Sequence, residues 1–129
     1  MGSTTRQSDR PKVLVVDDDP DIVVVCSLVL ESEGYDIGIA RNGCEAFDKI
    51  MSGGADVVLL DAMMPVMDGI TVCKMVKRDP EKKDLPVIIM SASQTMCERA
   101  RDSRADAVLP KPFQLEELVA TINKLLQAK

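Results

Sequence analysis

Short unbroken apolar runs alternate along the chain with longer stretches whose apolar residues fall at helical spacing. Three runs stand out: Lys12 to Val16 (KVLVV), Asp56 to Leu60 (DVVLL) and Leu85 to Met90 (LPVIIM). Ala107-Val108-Leu109 is a shorter fourth, and Tyr35 to Ala40 a weaker fifth. Brief apolar runs rich in β-branched residues and bounded by turn signals predict strands buried on both faces, as in a parallel sheet. Between them lie helical stretches. Asp21 to Glu33 follows Asp19, a natural N-cap, and Pro20, suited to the first helical position; Gly34 ends it as a C′ residue. Its predicted inward stripe is Ile22, Val25, Cys26, Val29 and Leu30, with Val23, Val24 and Leu28 on the other side. Asn42-Gly43 opens a helix over 44–52 that buries Ala46, Phe47, Ile50 and Met51. Gly69 to Arg78 turns Ile70, Cys73 and Val76 or Met75 inward. Gln94 to Arg104 offers only Met96, Cys97 and Ala100, predicting the least firmly packed helix. Leu115, Leu118, Val119, Ile122, Leu125 and Leu126 mark a last amphipathic helix.

Strand and helix alternate five times. That order predicts an α/β fold, a parallel sheet with helices on both faces. No repeat or linker suggests a second domain. Met1 to Arg10 is polar, lacks the apolar core of a signal peptide, and predicts a disordered lead or an expression remnant ahead of one domain over 11–129.

Composition narrows the chemistry. Aromatic residues make up 2% of the chain against 46% hydrophobic, so the core is aliphatic. A net charge of -5 argues against direct nucleic-acid binding, which needs clustered Lys and Arg. No run reaches the ~18 apolar residues of a membrane span. With no histidine in the chain, imidazole is unavailable as base, nucleophile or phosphate carrier. Cys26, Cys44, Cys73 and Cys97 lack zinc-type spacing and read as small buried hydrophobes in a reducing, cytoplasmic setting.

Parallel strands share one carboxyl edge, where open α/β sheets bind ligands. The first strand delivers Asp17 and Asp18 there, the third Asp61, the fourth Ser91 and the fifth Lys111. Each has a plainer reading. Asp61 can start a turn, Ser91 can cap a helix, Lys111 can pair with Asp61, and the acidic pair can be a solvated turn. The conjunction on four strands favours a site. Three close carboxylates repel, and a hard dication relieves them; Mg2+ suits best, since it also accepts a phosphate oxygen. No phosphate-cradling glycine loop accompanies them, so the simplest phosphoryl carrier is Asp61 itself, a carboxylate nucleophile.

These pieces resemble the receiver domains of two-component response regulators. The matching segments are VLVVDDDP (Val13 to Pro20), VVLLDAMMPVMDG (Val57 to Gly69), VIIMSA (Val87 to Ala92) and LPKPF (Leu109 to Phe113). The resemblance implies a flavodoxin-like, doubly wound sheet of five strands in the order 2-1-3-4-5 with five helices. It implies Asp61 as phosphoacceptor, Asp18 as direct metal ligand, Asp17 as a ligand through water, and the Met63 backbone carbonyl completing the shell of Mg2+ or, alternatively, Mn2+. Ser91 and Lys111 match the phosphoryl-binding hydroxyl and lysine, and the Lys111–Pro112 bond the family's cis peptide. The implied partner is a sensor histidine kinase or histidine phosphotransfer protein, and the implied state a monomer or weak dimer. Such a domain catalyses its own phosphorylation and dephosphorylation rather than turnover of a separate substrate.

Two departures carry expectations. Many members have Tyr or Phe at the switch position three residues before the lysine; here it is Val108, so an aromatic gate cannot operate. Met63 offers no hydrogen bond to orient an attacking water, so self-dephosphorylation is expected to be slow. Val23, Val24 and Leu28 are expected to form an apolar docking strip for a helical phosphodonor. The residues leave open a phosphorelay shuttle, a receiver-fold binding module that is not phosphorylated, and a small phosphohydrolase. The last lacks an obvious second acid/base group near Asp61.

Overall fold

The structure is a computed structural model and describes residues 10–127. The expected disordered lead falls almost wholly outside that range, at residues 1–9. Ten elements follow in strict alternation: β1 (Lys12–Val16), α1 (Pro20–Ser32), β2 (Asp36–Ala40), α2 (Gly43–Met51), β3 (Val57–Asp61), α3 (Gly69–Arg78), β4 (Val87–Ser91), α4 (Gln94–Asp102), β5 (Ala107–Pro110) and α5 (Leu115–Gln127). The strands form one parallel sheet in the order β2-β1-β3-β4-β5. The predicted architecture and strand order are therefore the observed ones.

Alternation along each strand divides the core in two. Leu14, Val16, Val58, Leu60 and Ile89 face a layer built by α2, α3 and α4. Val13, Val15, Val57, Leu59, Ile88 and Met90 face α1 and α5. β3 and β4 are buried along their whole length, because helices cover both faces. Four helices begin at a side-chain cap: Asp19, Asn42, Asp68 and Ser93 each accept a backbone N–H from the first turn. Gly34, with φ of +100°, follows the last turn of α1, where a side chain would be strained.

Four expectations need correction. In α1 the buried residues are Val23, Cys26 and Leu30, while Val25 is 45% exposed. The helix is apolar nearly all round, so its pattern had no unique inward phase; the sheet sets the phase, and Val23 is the inward residue. Cys44 is exposed and only the other three cysteines are buried. It sits early in α2 beside exposed Arg41, whereas Ala46 and Ile50 take that helix's inward face. Tyr35 precedes β2 rather than belonging to it. It is buried, with its hydroxyl hydrogen-bonded to Asn123 of α5. α4 buries Cys97 and Ala100 over nine residues, and the longer α5 buries only Leu118 and Ile122 over thirteen, so α4 is not set apart as the least firmly packed helix.

A second ionic cluster, far from the strand ends that carry the acidic residues, was not anticipated. The Lys77 side chain is only 7% exposed. It donates to the Lys83 and Leu85 carbonyls and to Asp106 Oδ2 at 2.7 Å. Asp106 Oδ2 also accepts from the Val87 N–H, so the pair joins α3 to the start of β4 and the turn before β5. Lysine on a helix reads as solvated by composition; only the fold reveals this one as a fully bonded interior cation.

Candidate functional site

Register brings the acidic residues together. Val16 pairs with Leu60 across β1 and β3, so the next residues, Asp17 and Asp61, leave the sheet side by side. Asp17 is 1% exposed and Asp61 6%, while Asp18 is exposed. One carboxylate oxygen from each of the three lies within 4.8 Å of the others. Lys111, one residue past β5, reaches across β4 to hydrogen-bond Asp17 Oδ2 at 3.1 Å and Asp61 Oδ1 at 3.2 Å. Asp17 Oδ1 accepts the Asp19 N–H at 2.9 Å, which ties the buried carboxylate to the cap of α1. That bond also answers why acidic residues precede a cap: Asp17 turns in and Asp19 turns along the helix.

The loop after Asp61 folds back tightly. Ala62 donates to the Met90 carbonyl, and Gly69 donates to the Ala62 carbonyl at 3.0 Å. A Cβ on Gly69 would lie 2.1 Å from the Asp61 carbonyl oxygen, so only glycine permits this return. Val66 at the loop's tip has φ of +72° and is 87% exposed, a strained state for a β-branched residue. Met63 is 61% exposed.

Ser91 is buried at the end of β4, but its hydroxyl does not bond Asp61. It accepts the Ser93 N–H at 3.1 Å, and Ser93 in turn caps α4. The register pairs Asp61 with Met90, which sets Ser91 one residue farther along the rim. The Ser91 carbonyl accepts the Lys111 N–H at 2.8 Å. The Lys111–Pro112 peptide is cis. Val108 is half-buried against the α2–α3–α4 side of the core, which also receives Met96.

The electrostatics are unbalanced. Burial, and then the neighbouring Asp17 charge, push the Asp61 carboxyl above its ordinary range, although Lys111 pulls it down. Burial alone would lower the Lys111 ammonium, but Asp61 and Asp17 more than offset it and leave it raised. The Cys26 thiol beneath is pushed up to about 11, by burial and then by Asp17, so it is not a nucleophile. Three carboxylates around one ammonium leave a net negative pocket of hard oxygen donors. That donor set fits a small divalent cation of the Mg2+ type.

Carboxylates and a lysine gather at the carboxyl edge of a doubly wound parallel sheet, where the strand order reverses between β1 and β3, the place at which open α/β domains bind their ligands. The comparisons make the class specific. The family model described as the response regulator receiver domain matches residues 13–123, and the chain belongs to that family. It is 37% identical over 119 residues to the DNA-binding dual master transcriptional regulator RpaA of Synechocystis, covering 91% of this chain and 49% of that protein. It is 40% identical over 118 residues to the response regulator MprA of a Mycobacterium species, covering 90% and 50%. The chain thus spans about half the length of the curated relatives it matches. Among solved structures, the Francisella response regulator 1452 receiver domain superposes with a TM-score of 0.84 at 36% identity, covering 92% of this chain and 98% of that one. The chemotaxis response regulator CheY4 of Vibrio cholerae gives 0.83 at 30%, covering 90% and 98%. The chain is a receiver domain of two-component signalling, with a regulatory role. Among the described residues no helix is long and apolar enough to cross a membrane.

Proposed function

We propose that Asp61 accepts a phosphoryl group from a phosphohistidine on a sensor kinase or phosphotransfer protein, and that the domain spans 11–129. The observation that carries this is the pair of buried carboxylates, Asp17 and Asp61, sharing one ammonium, with Asp18 beside them. Asp17, Asp18, Asp61 and the Met63 carbonyl would hold Mg2+, or Mn2+ in its place. The ion supplies charge neutralisation for a transferring phosphoryl. In the transfer, an Asp61 oxygen forms a bond to phosphorus while the donor's N–P bond breaks, and the departing imidazole keeps the electron pair and takes a proton. Lys111, already held beside Asp61, neutralises a phosphoryl oxygen. Ser91 turns its hydroxyl from the Ser93 N–H to the new acceptor. Hydrolysis reverses the modification, with water attacking phosphorus and the Asp61–phosphorus bond breaking.

The aspartyl-phosphate carries about two negative charges where the carboxylate carried one, adds strong acceptor oxygens, and biases a surface that a downstream partner reads. With Val108 in place of an aromatic ring, that bias leaves through Ser91 and the cap of α4. Exposed Val24, Val25 and Leu28 on α1 support docking of a helical donor beside Asp61. The setting is the cytoplasm, with no direct nucleic-acid contact by this domain and a monomer or weak dimer as the working form. Incubation with phosphoramidate and Mg2+, followed by intact mass measurement, tests the reading. Wild type gains one phosphoryl and Asp61→Asn gains none; equal labelling of both, or labelling of neither, refutes it.

A further inference from the structure

Two concavities open side by side at the amino edge of the sheet, where β4 and β5 begin, away from the acidic rim. One, of about 190 Å³, is lined by Lys74, Lys77 and Arg78 of α3 and by Asp102, Ser103 and Arg104 at the end of α4. The other, of about 280 Å³, is lined by Lys77, Lys83, Asp84, Arg104 and Asp106. Lys77 and Arg104 line both, so their side chains form a shared wall. The Lys77 ammonium is taken up by Asp106 and two carbonyls. Lys74, Arg78, Lys83 and Arg104 make no ion pair among the described residues, and neither do Asp84 and Asp102. Four cations therefore face two carboxylates, a positive surplus in a chain of net charge -5. Cations in the last turn of a helix complement its dipole, which accounts for Arg78 but not for Lys74, a turn earlier, or Lys83, in the following loop. Arg104 stands at the C′ position of α4 with φ of +70°, where glycine is the favoured residue. Its Nη2 donates to the Lys77 carbonyl at 3.1 Å, which holds the guanidinium on the shared wall and leaves other N–H groups to face a ligand.

We propose that the two concavities form one binding site for a small oligophosphate, with a phosphoryl group in each and Arg104 between them. The site stands apart from Asp61 and works without it. At ~30 Å³ per water in the liquid, each concavity has room for a phosphoryl group and part of its hydration. A guanidinium presents N–H donors along more than one edge, so Arg104 bonds a phosphoryl oxygen on either side. Lys74 and Arg78 add charge to the smaller concavity and Lys83 to the larger. The surplus of cations over carboxylates matches a ligand of two or more negative charges and leaves a single halide or acetate a poor fit. Asp102 in one concavity and Asp84 in the other repel an extended polyanion such as a nucleic-acid strand, so a short phosphate chain fits best. The chain's three aromatic residues, Tyr35, Phe47 and Phe113, line neither concavity. With no ring here to stack on a base, the phosphate chain rather than a nucleoside carries the recognition. An arginine at a left-handed position that glycine would fill with less strain supplies a charge that glycine lacks.

The test is isothermal titration at low salt in buffer freed of metal ions on a chelating resin, which keeps the acidic rim from holding phosphate through a dication. The probes are orthophosphate, tripolyphosphate, ATP and a short single-stranded oligonucleotide. Tripolyphosphate is expected to bind wild type at one site with sub-millimolar affinity. Orthophosphate, which fills one concavity only, should bind about tenfold more weakly, and ATP no more tightly than tripolyphosphate. Arg104→Gly suits the left-handed backbone and should weaken tripolyphosphate binding about tenfold. So should the double variant Lys74→Gln with Arg78→Gln, whose side chains make no ion pair in the folded chain. Arg41→Gln, which removes a cation beside the acidic rim, should leave binding within about twofold. No binding to wild type overturns the proposal. So does a loss in Arg41→Gln equal to that in Arg104→Gly, or orthophosphate bound as tightly as tripolyphosphate. ATP bound about tenfold more tightly than tripolyphosphate overturns recognition by the phosphate chain alone, and an oligonucleotide bound more tightly than tripolyphosphate makes this face a nucleic-acid surface instead.

Discussion

Asp61→Asn should stabilise the metal-free protein even as it abolishes phosphorylation. At an effective dielectric constant of about 20, Asp61 and Asp17 at the 4.8 Å limit repel by about 3.5 kcal/mol. Asp61 and Lys111 at 3.2 Å attract by about 5 kcal/mol on the same scale. The two nearly cancel, so desolvation decides. A carboxylate 6% exposed loses several kcal/mol of hydration, which exceeds the remaining attraction. Asparagine keeps the shape, removes the charge and leaves Lys111 bonded to Asp17 at 3.1 Å. The expected gain is roughly 1–2 kcal/mol, which for a chain of this length is about 4–7 °C in Tm. The assay is thermal unfolding in EDTA across pH. Because the Asp61 carboxyl lies higher folded than unfolded, the native state holds the extra proton, and wild-type stability falls as pH rises from 3.8 through the raised value. The gap to Asp61→Asn should therefore be absent at low pH and open as pH rises. Saturating Mg2+ should close it by stabilising wild type more than the variant. A variant no more stable than wild type at neutral pH in EDTA would refute the charge-frustration argument.

Lys77→Met removes a buried cation and leaves two carbonyls without it, while the solvent-accessible Asp106 keeps the Val87 N–H. A loss of about 1–2 kcal/mol is expected by urea unfolding, whereas no loss would show that the Lys77 hydrogen bonds do not hold these segments together. Val66→Gly relieves a left-handed β-branched residue that buries almost nothing, and should add about 1 kcal/mol in the same assay. Met63→Asn supplies a side chain able to orient water next to the phosphorylated aspartate. Phosphoryl loss should quicken by about tenfold, measured by phosphate release after donor removal, and an unchanged rate would show that Met63 does not set the lifetime.

The strands, their order of appearance and the identity of the rim residues were legible because each depends on neighbours a few positions away. VVLLD reads as a buried strand ending in a carboxylate without knowledge of anything beyond it. Asp19, Asn42, Asp68 and Ser93 cap their helices by bonds spanning two or three residues. Other features required the folded chain. Which side of α1 turns inward is undetermined by a helix apolar nearly all round, and the packed sheet selected Val23 over Val25. Lys77 carries no local mark of burial; its partners Lys83, Leu85 and Asp106 close around it only once three segments meet. The Ser91 hydroxyl faces Ser93 rather than Asp61. Periodicity and capping are short-range consequences of backbone geometry, so one dimension suffices to read them. The direction in which a side chain finally points is settled by contacts between distant segments, which only the three-dimensional packing supplies.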